Sequence, residues 1–284
     1  MTPKLIALVD GSIYSASVCE HAAWIARRTG AAVELLHVLG RREGAEKPDL
    51  SGAIRLGARS ALLEELAELD AQRARLVSHR GRAILEDARA ILDRAGIDEI
   101  TTRLRHGDLV ETVAAVEAEA EMILIGKRGE AADFAKGHLG SNLERIVRAS
   151  HKPVFVAARA FRPVEKVLVA HDGGASALKA VEYVATSPLF AGLGAHVVTV
   201  GPDTPEARKG LEDARARLAA AGLAATAGLV EGQPETALGR LVDEEGFGMV
   251  VMGAYGHSRI RSLIIGSTTT EMVRSCKVPV VLVR

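Results

Sequence analysis

The chain has 284 residues, 48% of them hydrophobic and 25% charged, and its 36 Lys+Arg balance 36 Asp+Glu to a formal net charge of zero. This is the composition of a globular protein of one or two domains, and the charge balance gives no electrostatic case for nucleic acid or an anionic membrane as the main partner. Two cysteines, Cys19 and Cys276, lie far apart and outside any C-x-x-C pair; this argues against a zinc site or a disulfide framework, favours a reducing cytoplasm, and leaves both as small buried apolar residues.

The first predicted strand, 4–9, lies in KLIALVD, an apolar run that closes on Asp10 and is followed by Gly11. The apolar part of the N-terminus is too short, and its charge comes too early, for a signal peptide. No run of 18 apolar residues occurs, so no membrane-spanning helix is expected. An Ala-rich stretch with helical spacing covers 15–29, and a second strand covers 32–38. Residues 41–82 then read as an insertion. Its start, RREGAEKPDLSG, is loop-like in its Gly, Pro and charges. From Ile54 to Arg94 the apolar spacing is helical, with Glu and Arg at i,i+4, which predicts one long helix. The insertion reads as an elaboration of the fold, with a lid over a site or a partner surface as the alternatives. Strands at 99–105, 121–126 and 153–157 complete this half.

The second half repeats the first. KVLVAHD (166–172) matches KLIALVD, GAHVVTV (194–200) matches AAVELLHV (31–38), and GSTTTEMVRSCKVPVVLVR (266–284) matches GSNLERIVRASHKPVFVAAR (140–159). Asp10 and Asp172 are farther apart than Gly126 and Gly253 or Gly140 and Gly266, by about 35 residues, so the extra length of the first copy lies in the insertion. A helix is expected at 175–187, and strands at 165–171, 195–200, 224–230, 248–253 and 279–283. The boundary falls near Ala160–Pro163, giving domains 1–160 and 163–284 with a linker short enough to keep them packed together. The strands are Val/Ile/Leu runs without polar alternation, separated by amphipathic helices. That pattern predicts two doubly wound α/β domains, each on a buried parallel sheet.

In such sheets ligands bind at the carboxyl ends of the strands, where the winding reverses. The first strand of each copy ends at Asp10 or Asp172, and the fourth at Gly126 or Gly253. After Gly253 comes GAYGHSRIRSLIIGSTTTEMV. Gly253 and Gly256 allow tight turns and close approach of backbone to a ligand. Gly266-Ser267 opens a helix, and Thr268 with Glu271 has the spacing of a capping box. The free amides of such a helix start attract phosphate, with Ser267 and Thr268 as ligands and His257, Arg259 and Arg261 adding charge. The alternative is a structural turn followed by a capped helix.

The G-x2-G-x9-G-[S/T] pattern after an apolar strand (Gly253, Gly256, Gly266, Ser267), with Asp172 closing the first strand of that copy, resembles the universal stress protein family, and the resemblance spans the chain twice. It implies a five-stranded parallel sheet of order 3-2-1-4-5 in each half and, in the members that carry the motif, binding of ATP, ADP or AMP with or without Mg2+. Carried over, Ala170, Asp172 and Val200 would touch adenine or ribose, and Met252, Gly253, Gly256, Gly266, Ser267 and Thr268 would line ribose and phosphates. The first copy departs from the motif: ten residues, not nine, separate Gly129 from Gly140. Asp10, Val38, Gly126, Gly129, Gly140 and Ser141 are therefore weaker candidates. Ser141 with Glu144 repeats the capping-box spacing, and Lys127, Arg128 and Lys136 read as solvated loop charges that also suit phosphate. His37 and His171 are read as satisfied core or rim histidines, with pocket lining as the alternative.

No Walker loop, dinucleotide G-x-G-x-x-G or G-x-S-x-G elbow is present. No general base is evident for a γ-phosphate, so no catalytic residue and no metal ligand is assigned, and hydrolysis is expected to be slow or absent. The resulting expectation is a regulatory stress-response protein that binds ATP. The alternatives are a slow ATP hydrolase or nucleotidyl transferase relying on Asp172, and a scaffold for a non-nucleotide ligand or a protein. The last strands, VFVA (154–157) and VPVVLVR (278–284), would be open edges unless paired. In the family the fifth strands commonly pair across a dimer, so an intrachain pseudo-dimer through these strands is expected, with room for a further homodimer.

Overall fold

The computed structural model describes residues 2–40, 56–129, 141–254 and 267–284. The first half runs β1 (Lys4–Leu8), α1 (Ser15–Thr29), β2 (Ala32–Leu39), α2 (Leu56–Arg94), β3 (Ile100–His106), α3 (Leu109–Val116), β4 (Met122–Gly126), α4 (Ser141–Ala149) and β5 (Val154–Ala157). The second runs β6 (Lys166–Ala170), α5 (Ala175–Thr186), β7 (Gly194–Val200), α6 (Pro205–Ala220), β8 (Ala224–Val230), α7 (Pro234–Glu245), β9 (Met249–Gly253), α8 (Ser267–Ser275) and β10 (Val280–Val283). Single 3-10 turns at Glu117–Glu119 and Pro188–Phe190, which the sequence pattern did not suggest, are added. The strands fall where the apolar runs predict them. The helix expected from Ile54 begins at Leu56 in the described residues, and the loop-like start of the insertion lies outside them.

The strands form one sheet in the order β3-β2-β1-β4-β5-β10-β9-β6-β7-β8. Each half therefore reads 3-2-1-4-5, but as part of a single ten-stranded sheet and not as a sheet of its own. All pairings within a half are parallel. The junction is antiparallel, with Val154, Phe155 and Val156 of β5 opposite Leu282, Val281 and Val280 of β10. Pairing these two strands leaves β3 and β8 as the outer edges.

Helices cover both faces. On one face Cys19 and Ile25 of α1, Leu85 and Leu92 of α2, Val181 of α5 and Leu211 of α6 join one core with Phe155 and Val281. On the other, Val113 of α3, Ile146 of α4, Leu238 of α7 and Met272 of α8 join a second core with Val156 and Leu282. Both cores run through the β5–β10 junction, so the hydrophobic burial that stabilises each half is shared with the other. Polar ties cross as well. Arg28 of α1 donates to the carbonyls of Leu189, at 2.7 Å, and Ala191, and Arg284 donates to the Arg148 carbonyl at 3.0 Å.

Both cysteines are buried free thiols, and burial pushes the Cys19 pKa up to about 12. Among the described residues no helix is long and apolar enough to cross a membrane.

Candidate functional site

The reversal of winding in each half falls between its first and fourth strands, β1/β4 and β6/β9, and both halves bring the same residues there. β1 gives way to Asp10 and Gly11, β6 to Asp172 and Gly173, and the two glycines adopt φ values of 78° and 77°, a turn that a side chain would strain. The aspartates close these turns. Asp10 Oδ1 accepts from the Ser12 amide at 3.0 Å and the Ser15 hydroxyl at 3.1 Å, and Asp172 Oδ1 accepts from the Gly174 amide at 2.8 Å. Asp172 is exposed, whereas Asp10 is only partly so.

The fourth strands end on glycines for a steric reason. A Cβ on Gly126 would lie 2.6 Å from Tyr14 Cβ, and one on Gly253 would lie 2.5 Å from Ser176 Oγ and 2.8 Å from the Ser176 carbonyl carbon. Beyond Gly126, Gly129 lies so close to Asp10 that a Cβ would sit 2.9 Å from Oδ2. In the second half Ala170 is flanked by Val198 and Met252. Ala170, Val200 and Gly253 are partly buried and Met252 is buried. Ser267 and Thr268 head α8, Ser267 exposed and Thr268 partly so. Val38 and Gly126 take the matching partly buried places in the first half, and Ser141 heads α4. Gly140, Gly256, His257, Arg259, Arg261 and Gly266 lie outside the described residues, as does Lys136.

Three expectations need correcting. Among the described residues no Thr268–Glu271 capping box is made: Thr268 is already inside α8, Ser267–Ser275, and the Glu271 carboxylate pairs forward with Arg274 at 2.6 Å, an i,i+3 ion pair. Lys127 is not a solvated loop charge. It is buried and donates to the Cys276 carbonyl at the end of α8, where a cation offsets the negative end of the helix dipole. Burial lowers its pKa. Its ammonium therefore ties the halves together and does not face a phosphate. Finally, the two histidines differ. His37 is a satisfied core residue, its Nδ1 2.7 Å from the Val9 carbonyl. His171 is buried with Nε2 unpartnered among the described residues, and its pKa is lowered by burial, against the pull of Asp172.

Sequence reasoning missed what sets the two halves apart. LEDARA occurs at 85–90 in α2 and again at 211–216 in α6, and this register sets Ile84 against Gly210. Ile84 covers the first turn, its Cδ1 2.9 Å from where a Gly11 Cβ would stand, whereas among the described residues nothing lies within 4 Å of that point at Gly173. Gly210 instead leaves α6 without a side chain above His171 Cε1. Tyr14 and Ser176 differ in the same sense, large in the first half and small in the second. Buried Thr269 was also missed. Its hydroxyl lies 3.5 Å from the carbonyls of Gly253 and Ala254 and ties the start of α8 to the end of β9.

The universal stress protein family model matches residues 1–158 and again residues 163–284. The chain belongs to the universal stress protein family. It is 37% identical to universal stress protein Slr1230 of Synechocystis over 99% of both chains, and 25% identical to universal stress protein Rv1996 of Mycobacterium tuberculosis over 76% of this chain and 78% of that one. The crystal structure of a universal stress protein from Archaeoglobus fulgidus superposes with a TM-score of 0.74 at 22% identity, covering 99% of this chain and 96% of that one, a likeness of fold. Both family matches fall on strand–helix sets that end in β5 or β10, so the family unit occurs twice in one sheet.

Proposed function

We propose that this universal stress protein is an adenine-nucleotide-binding regulatory protein whose working site lies in the C-terminal half, at the ends of β6, β7 and β9 and the start of α8. The observation that carries this reading is the pairwise contrast at matched positions. Where the first half places Tyr14 and Ile84 over its strand ends, the second places Ser176 and Gly210. On the α6 side of these strand ends, His171 Nε2 and Thr199 Oγ1 are buried without a partner among the described residues. These features fit a nucleotide, with Ala170, Val200 and Met252 as apolar walls for adenine, Asp172 at the ribose, and Ser267, Thr268 and the first amides of α8 on the phosphates.

Asp172 closes the first turn of this half. Its Oδ1 is already turned toward the Gly174 amide, an orientation that suits loop closure better than proton abstraction. Binding without appreciable hydrolysis is therefore the preferred reading, with Mg2+ held through water if it is present. Domains 1–160 and 163–284 would act as an internal pseudo-dimer in a cytoplasmic protein, one half carrying the nucleotide and the other bracing the sheet.

Gly210→Ile copies the first-half arrangement into the second. It should abolish ATP binding while the fold, followed by circular dichroism, is kept; Ile84→Ala should leave binding at the second site unchanged. Mass spectrometry of ligand released from the purified chain should find an adenine nucleotide. A different released ligand, or full ATP affinity in Gly210→Ile, would overturn the proposal. ATP turnover that disappears in Asp172→Asn while nucleotide affinity is retained would establish the enzyme reading instead.

A further inference from the structure

We propose that Lys127, a residue of the first half, is a positioning residue for the phosphate grip of the second half, holding α8 so that its first amides face the ligand. The inference rests on the nucleotide reading above and adds to it a residue from outside the site.

In that site the task of α8 is to offer the amide hydrogens of its first turn to phosphate. The task needs a helix fixed in place and direction, and α8 has only nine residues, Ser267–Ser275, a span of about 13 Å. Its inner face is anchored by Met272 and Val273, both buried. Its flank toward α7 is not closed by the described residues. An open cleft of about 300 Å3 lies there, with Gly239, Val242 and Asp243 on one side and Glu271, Ser275 and Cys276 on the other. The ion pair beside the cleft, Lys277 to Asp243 at 2.7 Å, is exposed at both partners, and such a pair holds little.

The ties at its two ends therefore set the place of α8. At the start, the Thr269 hydroxyl lies 3.5 Å from the carbonyls of Gly253 and Ala254. At the finish, Lys127 donates to the Cys276 carbonyl, among the acceptors that a helix end leaves over. Lys127 is only 7% exposed, so this charge-assisted bond is shielded from water and is the stronger of the two. A cation at this end also complements the dipole that favours an anion at the other. The arrangement is not repeated for α4. Ala254 follows Gly253 where Lys127 follows Gly126, and the end of α4 is met instead by Arg284, which donates to the Arg148 carbonyl in an exposed contact. Lys127 thus leaves the strand end of its own half and braces, from behind, the helix that grips phosphate in the other.

Calorimetric titration of the full chain with ATP and with adenosine tests this. In K127M, which keeps the aliphatic stem and loses the charge, ATP affinity should fall at least about tenfold. Adenosine, which has no phosphate to meet α8, should bind as it does to wild type. R284M removes the matching tie at α4 and should leave both affinities unchanged. If circular dichroism shows K127M unfolded, K127Q, which keeps a neutral donor, takes its place, with a smaller loss expected for ATP alone. Unchanged ATP affinity in the folded variant, or equal losses for ATP and adenosine, overturns the proposal and leaves the nucleotide reading standing. A wild-type chain that binds neither ligand overturns both.

Discussion

Gly253 illustrates how a single residue is fixed by its surroundings. The methyl group of Gly253→Ala would have to displace Ser176 at the start of α5, which is close at both its side chain and its backbone. We expect a loss of about 1–3 kcal/mol in urea denaturation. Ser176→Gly should not rescue it, because the contact at 2.8 Å with the Ser176 carbonyl carbon remains. His21 supplies a second residue-level test. It is fully buried in α1, its ring centroid 5.1 Å from those of Phe155 and Phe161. Its Nδ1 is 2.7 Å from the Ser17 carbonyl and its Nε2 has no partner. Burial lowers its pKa from 6.5 to about 4, with the Ser17 carbonyl opposing. The folded pKa lies below the unfolded one, so the neutral ring's contribution is complete above pH 6.5 and is lost as pH falls toward 4. The loss amounts to about 3 kcal/mol. Denaturation midpoints between pH 7 and 4 should fall more steeply in wild type than in His21→Phe; equal slopes would contradict this account. At this scale Asp10, Gly11, Gly126, Asp172, Gly173 and Gly253 were legible in the sequence as residues of local turns and strand ends. Ser176, Ile84, Gly210 and Thr269 were not, because their roles exist only once a helix far along the chain is laid against a strand end. The repeated LEDARA was the one signal that set Ile84 beside Gly210.

Helix starts show where local pattern succeeds and fails. Asp108 caps α3, its Oδ1 accepting from the amides of Val110 at 2.9 Å and Glu111 at 3.2 Å, while Oδ2 accepts from Arg145 at 2.7 Å. The Arg145 guanidinium, with the two amides, holds this carboxyl below the usual carboxylate range despite some desolvation. Asp108→Ala should cost about 1 kcal/mol near neutral pH. Because the folded pKa is the depressed one, that cost should shrink as pH falls through the carboxylate range; a pH-independent difference in urea midpoint would contradict the capping role. The matching helix α7 begins with Gln233, which makes no cap, and has Pro at its start instead. Strands were read almost to the residue, since parallel strands buried on both faces appear as unbroken Val/Ile/Leu runs. The α8 capping box was misread because T-x-x-E spacing is also that of an ordinary helix turn, and Arg274 takes the Glu271 carboxylate.

The whole molecule is one sheet built from two family units that differ at matched positions. The first unit has the long α2, places Tyr14 and Ile84 against Gly126 and Gly11, and buries Lys127 at the end of α8. The second has small residues, Ser176 and Gly210, at the equivalent points. The repeat was legible because both copies keep their apolar runs, whereas the strand order came from the resemblance to the family. The asymmetry was not, since one inserted residue between Gly129 and Gly140 gives no hint of a lysine buried against another helix. That asymmetry is the central claim, and stoichiometry tests it. Calorimetric titration of the full chain with ATP and Mg2+ should give one site per chain; two equivalent sites, or no heat at all, would contradict it.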